Sequence, residues 1–248
     1  ESGPLVTHFG NVIKEIYDPE KFKQFHYEIL AEIISTLDNE EPICTFSLDK
    51  NNLLFSTCYE DVDNPDLNSW YQNQVRDEML ADTMDYYHYP MHNGYGQLFS
   101  IAVPKMIRQS LQYNMRTLKA PLNSISLGIF SAENGARHWF HADKLDSYLV
   151  WKIGEKKKDE MLYIKNNQFE CYFSITRTAK KVQINWQFGN KDAINLIYQY
   201  IKHLVDNKKQ PQSPASKIFI YTCNGKIKDV KDLQNTGLDN MILLNPLS

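Results

Sequence analysis

The sequence predicts an α+β fold: antiparallel sheet with amphipathic helices packed on one face, followed by a small β-α-β tail. Three observations lead there. Residues 168–176 and 181–188 alternate apolar with polar side chains, the period of a strand with one buried and one wet face. Phe22, Phe25, Ile29, Leu30, Ile33, Ile34 and Leu37 recur at spacings of three and four, which draws one apolar stripe along a helix. Finally, the polar stretch Asn207–Ser216 (NKKQPQSPAS) separates the body from a tail that reads strand, helix, strand. The chain therefore divides into a main α+β domain over 1–206, with room for two subdomains meeting near 120–140. A linker at 207–216 and a C-terminal β-α-β extension at 217–248 complete it. The extension is too small to fold alone and is expected to dock on the body.

Taken in order, Asp18-Pro19-Glu20 opens the first helix with a capping side chain, a proline suited to the first turn and a favourable charge. Ile43–Leu48 and Leu53–Tyr59, joined by Asp49-Lys50-Asn51-Asn52, read as a hairpin. A polar loop from Glu60 to Asp66 leads to a helix near Leu67–Met84, and Pro90, Gly94 and Gly96 enforce irregular backbone. Leu98–Val103 reads as a strand, and Pro104 opens a helix carrying Met106, Ile107, Leu111, Met115 and Leu118. Asn134-Gly135 between Ile125–Ser131 and Ala136–Phe140 signals a second hairpin. A short helix is expected at Lys144–Lys152. The alternating strands then bury Phe169, Cys171, Phe173, Ile175, Val182, Ile184, Trp186 and Phe188, and leave Tyr163, Glu170, Tyr172 and Ser174 wet. Helix Asp192–Val205 covers the apolar face. In the tail, Lys217–Cys223 and Met241–Leu244 are strands flanking a short helix near Asp229–Asn235.

Composition narrows the function classes. With 42% hydrophobic and 23% charged residues, the chain has what a globular core requires. Its longest apolar runs, such as Met241–Leu244, fall far short of the roughly 20 residues of a membrane span, so no membrane partner is expected. The start, Glu1-Ser2-Gly3-Pro4, reads as a boundary or a processed end. Four scattered cysteines in strand-like runs favour a cytoplasmic or other reducing intracellular compartment. Residues 1–149 hold 11 Lys+Arg and 21 Asp+Glu, whereas residues 150–248 hold 16 and 9. Such polarity suits a macromolecular partner, or two halves that neutralise each other on packing.

Tests for chemistry are mostly negative. The acidic loop from Asp61 has Asp66 and Gln72 where a calcium loop needs Gly and Glu. Phosphate-cradling glycine loops, a nucleophile elbow, HExxH and CxxC are all missing from the sequence. Asp146 with Glu155 and Lys157 has the residue types of a metal-dependent nuclease, in what reads as a charged turn. The remaining candidates are His88, His92, His138 and His141, with Asp143 as a supporting carboxylate, because neutral imidazole is a common zinc ligand.

Three readings follow. The first is a non-catalytic binding or regulatory module, with another protein as the partner. The second is a metal-assisted hydrolase in which those histidines hold a divalent metal such as zinc. The third is a nucleic-acid-binding protein, in which Lys156, Lys157, Lys158, Lys180 and Lys181 neutralise phosphates beside Tyr163 and Tyr172.

Overall fold

Among the described residues, two runs of elements share the order of their first six members. A computed structural model describes residues 27–28, 30–32, 34–35, 44–59, 85–92, 97–154, 157–178, 181–205, 212–222 and 240–244. The first run is β1 (Cys44–Leu48), β2 (Leu54–Tyr59), β3 (Tyr86–His92), β4 (Gln97–Pro104), α1 (Lys105–Thr117), β5 (Leu122–Leu127) and α2 (Gly128–Phe140). The second is β6 (Ser147–Ile153), β7 (Lys158–Lys165), β8 (Gln168–Arg177), β9 (Val182–Gly189), α3 (Lys191–Val205), β10 (Lys217–Thr222) and β11 (Met241–Leu243). Each run has four strands, a helix, and then a strand that pairs parallel with the first strand of its own run: β5 with β1, β10 with β6. No repeat is legible in the residues themselves.

The second run forms one six-stranded sheet in the order β11-β10-β6-β7-β8-β9. The expected antiparallel pair β8 and β9 is there, β7 and β6 extend it antiparallel although a helix was expected over most of β6, and the tail strands continue it in parallel. Parallel neighbours need a crossover connection, as the β-α-β reading supposed, although residues 223–239 lie outside the described part. Residues 212–216 are held against the sheet: Ala215 is buried and Ser216 N–H donates to the Ser147 carbonyl at 3.0 Å. Residues 207–211 of the expected linker lie outside the described part, as do 18–26 of the first helix and all of 60–84.

Helices lie on both faces of the sheet, not on one. On one face Leu149, Trp151, Met161, Cys171, Phe173 and Ile175 pack against Ile194, Ile197, Ile201 and Leu204 of α3. On the other, Tyr148, Val150, Leu162, Tyr172 and Phe188 pack against Ile129 and Ala136 of α2 and against Phe99 and Ile101 of the sheet β2-β4-β3. Tyr163 and Tyr172, expected on a wet face, are therefore 3% and 0% exposed. Glu170 and Ser174 are buried too.

Two β-bulges explain why the strict alternation misled. Opposite Tyr163 and Ile164 stand Cys171 and Phe169, so Glu170 is an extra residue and Phe169 turns to the α2 face while Cys171 faces α3. Opposite Ser174 and Ile175 stand Trp186 and Ile184, so Asn185 is extra and separates Val182 and Ile184 from Trp186 and Phe188. A bulge changes face without changing the sequence period. Gly189 is needed where the first bulge crosses its neighbour: its φ is +107°, and a Cβ there would lie 2.5 Å from the Glu170 carbonyl oxygen. Asn190 then caps α3, its Oδ1 accepting from Asp192 N–H at 2.9 Å.

The first run departs further from expectation. β1 and β2 do not form a hairpin, since β1 pairs with β5 and β2 with β4. Between them Lys50–Asn52 make a 3-10 turn whose Asn51 N–H is capped by Asp49 Oδ1 at 2.9 Å. The second expected hairpin is α2: Ile129, Glu133 and Ala136 are its buried positions, at helical spacing, and Asn134-Gly135 sits inside it. The expected helix at Lys144–Lys152 is instead the 3-10 turn Ala142–Lys144 and strand β6. By contrast, α1 and β4 stand where the sequence put them. Helical residues 27–28, 30–32 and 34–35 place Leu30 and Ile34 against Ile107, Leu111 and Met115 of α1.

Replacing Gly189 by alanine should cost about 2–4 kcal/mol, from an unfavourable φ plus a backbone clash. Urea titration checks this. A loss under about 0.5 kcal/mol, the range of an ordinary surface change, would contradict the bulge geometry.

Candidate functional site

Two adjacent exposed aromatic side chains, Trp139 and Phe140, stand at the C-terminal end of α2. The helix starts tight against β1: a Cβ on Gly128 would lie 2.7 Å from Ser47 Oγ. Its middle is pinned to β6 by Glu133, which is buried and whose Oε1 accepts from both the Tyr148 hydroxyl and Arg137 Nε. Burial, and then that bond to a carboxylate, push the Tyr148 hydroxyl well above its ordinary pKa. One turn later the Trp139 ring lies across Gly135, with Cζ3 3.0 Å from where a Cβ would stand. A larger residue at 135 would push the indole away.

Trp139 is 52% exposed and Phe140 is 41% exposed. Phe140 touches Phe219 of β10 at 5.7 Å between ring centroids, so the pair sits on a braced support. His138 meets Trp139 edge-on at 5.9 Å. His141 ends the helix in the left-handed region, φ 51°, and its N–H donates to the Ala136 carbonyl. Exposed Asp143 follows, with its carbonyl accepting from Asn167 Nδ2 at 2.7 Å. The structure thus brings His138, His141 and Asp143 to one helix end. His88 stands on β3, half-buried with its ring 6.4 Å from that of Tyr86, and the side chain of His92 lies outside the described part. Among the described residues no three of His, Cys, Asp or Glu come together as a metal ion would require.

The described members of the basic set lie at one end of the sheet, where Lys158 stands opposite Thr176 and Lys181 closes the β8–β9 turn. Lys157, Lys158 and Lys181 are exposed, while Lys156, Lys180 and Glu155 lie outside the described residues. Their expected stacking partners are committed inside the protein. The Tyr163 hydroxyl donates to the Pro214 carbonyl at 3.1 Å, and the Tyr172 hydroxyl to Glu160 Oε2.

Two acidic clusters hold the sheet together. Asp159, fully buried, accepts from Trp151 Nε1 at 2.9 Å, from Arg177, and from Gly154 N–H at 3.4 Å. Glu160 receives Lys152 at 2.9 Å and Lys50 at 3.9 Å, which ties the Lys50–Asn52 turn to β7. Burial raises the Glu160 carboxyl, but the Tyr172 hydroxyl and the two ammonium groups outweigh it and hold the carboxyl below the usual range. These clusters join protein groups to one another. The exposed rings of α2 point outward.

The sequence singled out His138, His141 and Asp143 here but neither Trp139 nor Phe140, because Asn134-Gly135 read as a hairpin instead of a helix. The clue was the spacing of four between Gly135 and Trp139, which lets a ring lie over a missing side chain.

No family model matches the chain, and comparison with curated proteins returns no relative. Some solved structures are similar to it at low identity. A chain of the PilM-PilN type IV pilus biogenesis complex is 9% identical, with 89% of this chain and 74% of that chain covered and a TM-score of 0.51. The cytoplasmic domain of EpsL, an inner membrane component of the type II secretion system of Vibrio cholerae, is 11% identical over 79% of this chain and 67% of that one, with a TM-score of 0.44. A protein from Bacteroides thetaiotaomicron with an actin-like ATPase fold and unknown function is 8% identical over 88% and 77%, with a TM-score of 0.38. The chain therefore belongs to the mixed α+β class, with parallel and antiparallel pairing in one sheet. No helix among the described residues is long and apolar enough to cross a membrane.

The depressed carboxyl of Glu160 has a pH consequence. A folded-state pKa below the unfolded one stabilises the fold above the unfolded value, near 4.3, and this is lost as pH falls through the folded value. At pH 7, Glu160→Gln should lose about 1–3 kcal/mol, the scale for a charge-assisted bond. The gap from the parent should narrow below about pH 4. Urea titrations at both pH values measure it, and a gap that widens in acid would refute the sign.

Proposed function

We propose that the chain is a docking module that holds another protein within a larger assembly. The observation that carries this reading is the adjacent pair Trp139 and Phe140, 52% and 41% exposed on a helix end that Glu133 and Phe219 brace. Large rings held rigidly at a surface bury much apolar area on contact and lose little conformational freedom, which is why aromatic side chains anchor protein interfaces. The flanking His138 and His141 supply polar groups for a rim. The shared fold adds support: the structure at TM-score 0.51 comes from the PilM-PilN type IV pilus biogenesis complex.

The hydrolase reading needs His88, His92, His138 and His141 to converge around a divalent metal such as zinc, and no such group forms among the described residues. The nucleic-acid reading has exposed lysines but has lost Tyr163 and Tyr172 as stacking platforms. Docking is the reading the geometry favours.

To test it, the purified chain and its Trp139→Ala variant would serve as parallel baits. A protein captured by the parent would be identified by mass spectrometry, made pure and titrated by calorimetry. Loss of a 2 kcal/mol anchor predicts about 30-fold weaker binding by the variant. Its thermal midpoint should hardly move, since the ring is largely outside the core. Equal binding by both baits would remove Trp139 from the interface and sink the proposal.

A further inference from the structure

A second surface lies at the end of the six-stranded sheet where β6 turns into β7 and β8 into β9. Lys157 and Lys158 lead into β7, and Lys181 leads into β9. All three are exposed, and none forms an ion pair among the described residues. Asp159 and Glu160, which follow Lys158, do not offset them. Asp159 is engaged by Trp151 and Arg177, and Glu160 by Lys152, Lys50 and Tyr172. In the sequence, the two turns at 154–158 and 178–181 hold five lysines against one glutamate, so the excess charge is positive.

The two turns are fastened to each other. Asp159, buried at the foot of the first, accepts from Gly154 N–H at 3.4 Å and from Arg177 at the foot of the second. The second is closed by Thr178 N–H donating to the Lys181 carbonyl at 2.8 Å, and by Lys181 N–H donating to Thr178 Oγ1 at 3.0 Å. Lys157 has a φ of 60°, in the left-handed region that suits glycine or asparagine. At the opposite end of the sheet, the β7–β8 turn fills such positions with Asn166 and Asn167, at φ 51° and 62°. A long cation in that conformation is unfavourable for the turn itself, which directs attention to what its charge meets.

We infer that this end of the sheet binds an acidic, extended segment of a partner protein, whose carboxylates pair with Lys157, Lys158 and Lys181. The two turns stand two strand spacings apart, about 10 Å, the length of about three residues of extended chain. Charge complementarity selects an anion, and the lack of rings selects a peptide over nucleic acid. The exposed large apolar side chains of the described part all stand on elements other than β6 to β9, so no exposed ring here offers a base a platform. Arg177, whose fork would suit a phosphate, is committed to Asp159. The inference carries the docking reading to a separate surface, and it stands on these lysines and not on the rings of α2.

The probe is a fluorescein-labelled peptide of about ten residues, longer than the span of the turns, that alternates Glu with Ser. It is titrated against the whole chain by anisotropy, beside its Gln-Ser counterpart and an oligothymidylate of equal charge. The Glu peptide should bind the parent and weaken as salt rises from about 0.02 to 0.2 M. Joint replacement Lys157→Gln, Lys158→Gln and Lys181→Gln should weaken it about 10-fold. Joint replacement Lys144→Gln, Lys165→Gln and Lys202→Gln removes the same charge from exposed positions elsewhere and should leave its affinity unaltered. Both sets should keep the thermal midpoint of the parent, because all six side chains are exposed. Lys157→Gly should weaken the peptide while leaving the midpoint unchanged or raising it, whereas a purely structural lysine would lower it. Trp139→Ala should not change peptide affinity, so failure of the aromatic helix end and failure of this surface are read separately. Equal losses in the two lysine sets would assign binding to overall charge and overturn the inference. So would a parent that binds no probe, or one that holds the Gln peptide as tightly as the Glu peptide. Oligothymidylate held more tightly than the peptide, and released by the first set, would overturn it in favour of nucleic acid.

Discussion

Burial of both faces of the six-stranded sheet is the constraint on which the rest of the structure depends. A sheet with one wet face can leave its polar side chains in water, but this one has α3 on one side and α2 with the sheet β2-β4-β3 on the other. Every polar group in its central strands must then find a partner inside the protein, because a desolvated, unbonded group is costly. Tyr172 finds Glu160, Tyr163 finds Pro214, and Asp159 gathers Trp151 and Arg177. The polar residues of β7 and β8 are the internal fastenings of a two-sided core.

The same constraint explains the contact between the two runs of elements. Phe55 of β2 packs its ring 4.8 Å from Trp186 and 5.0 Å from Phe188, and Phe99 of β4 lies 5.1 Å from Phe169, all at steep interplanar angles. Such tilted packing is favourable for aromatic rings. The bulges at Glu170 and Asn185 aim Phe169, Trp186 and Phe188 at the first run. Without those two extra residues the rings would join the α3 face, and Phe55 and Phe99 would lose their partners. Ion pairs from Lys50 and Lys152 to Glu160 close the polar end of this contact.

Function then falls to what the core does not use. Acidic clusters that would attract attention as catalytic candidates are occupied in holding strands and turns together. Among the described residues, most large apolar groups left in water are on helices, such as Trp139 and Phe140 at the end of α2 and Met106 and Tyr113 on α1, while Tyr89 stands on β3. Helix surfaces with spare apolar side chains are suited to partners, and an α+β fold by itself is compatible with many activities. Docking therefore rests on these side chains, carried on a fold similar to that of a chain in the PilM-PilN type IV pilus biogenesis complex.

Much of the local structure was legible in the residues. The period of two marked β8 and β9 as strands, the period of 3.6 marked α1 and α3, and Ile218, Ile220, Ile242 and Leu244 required that the tail be covered. These are near-neighbour properties, which spacing along the chain records. What pairs with what was decided only in three dimensions: β1 with β5 instead of β2, β10 beside β6, and α2 in place of a hairpin at Asn134-Gly135. The faces of β8 and β9 were decided there too, because a bulge reverses the inside of a strand while its residues alternate unchanged. So was the exposure of Trp139, since burial depends on distant segments packing together and no local pattern carries that information.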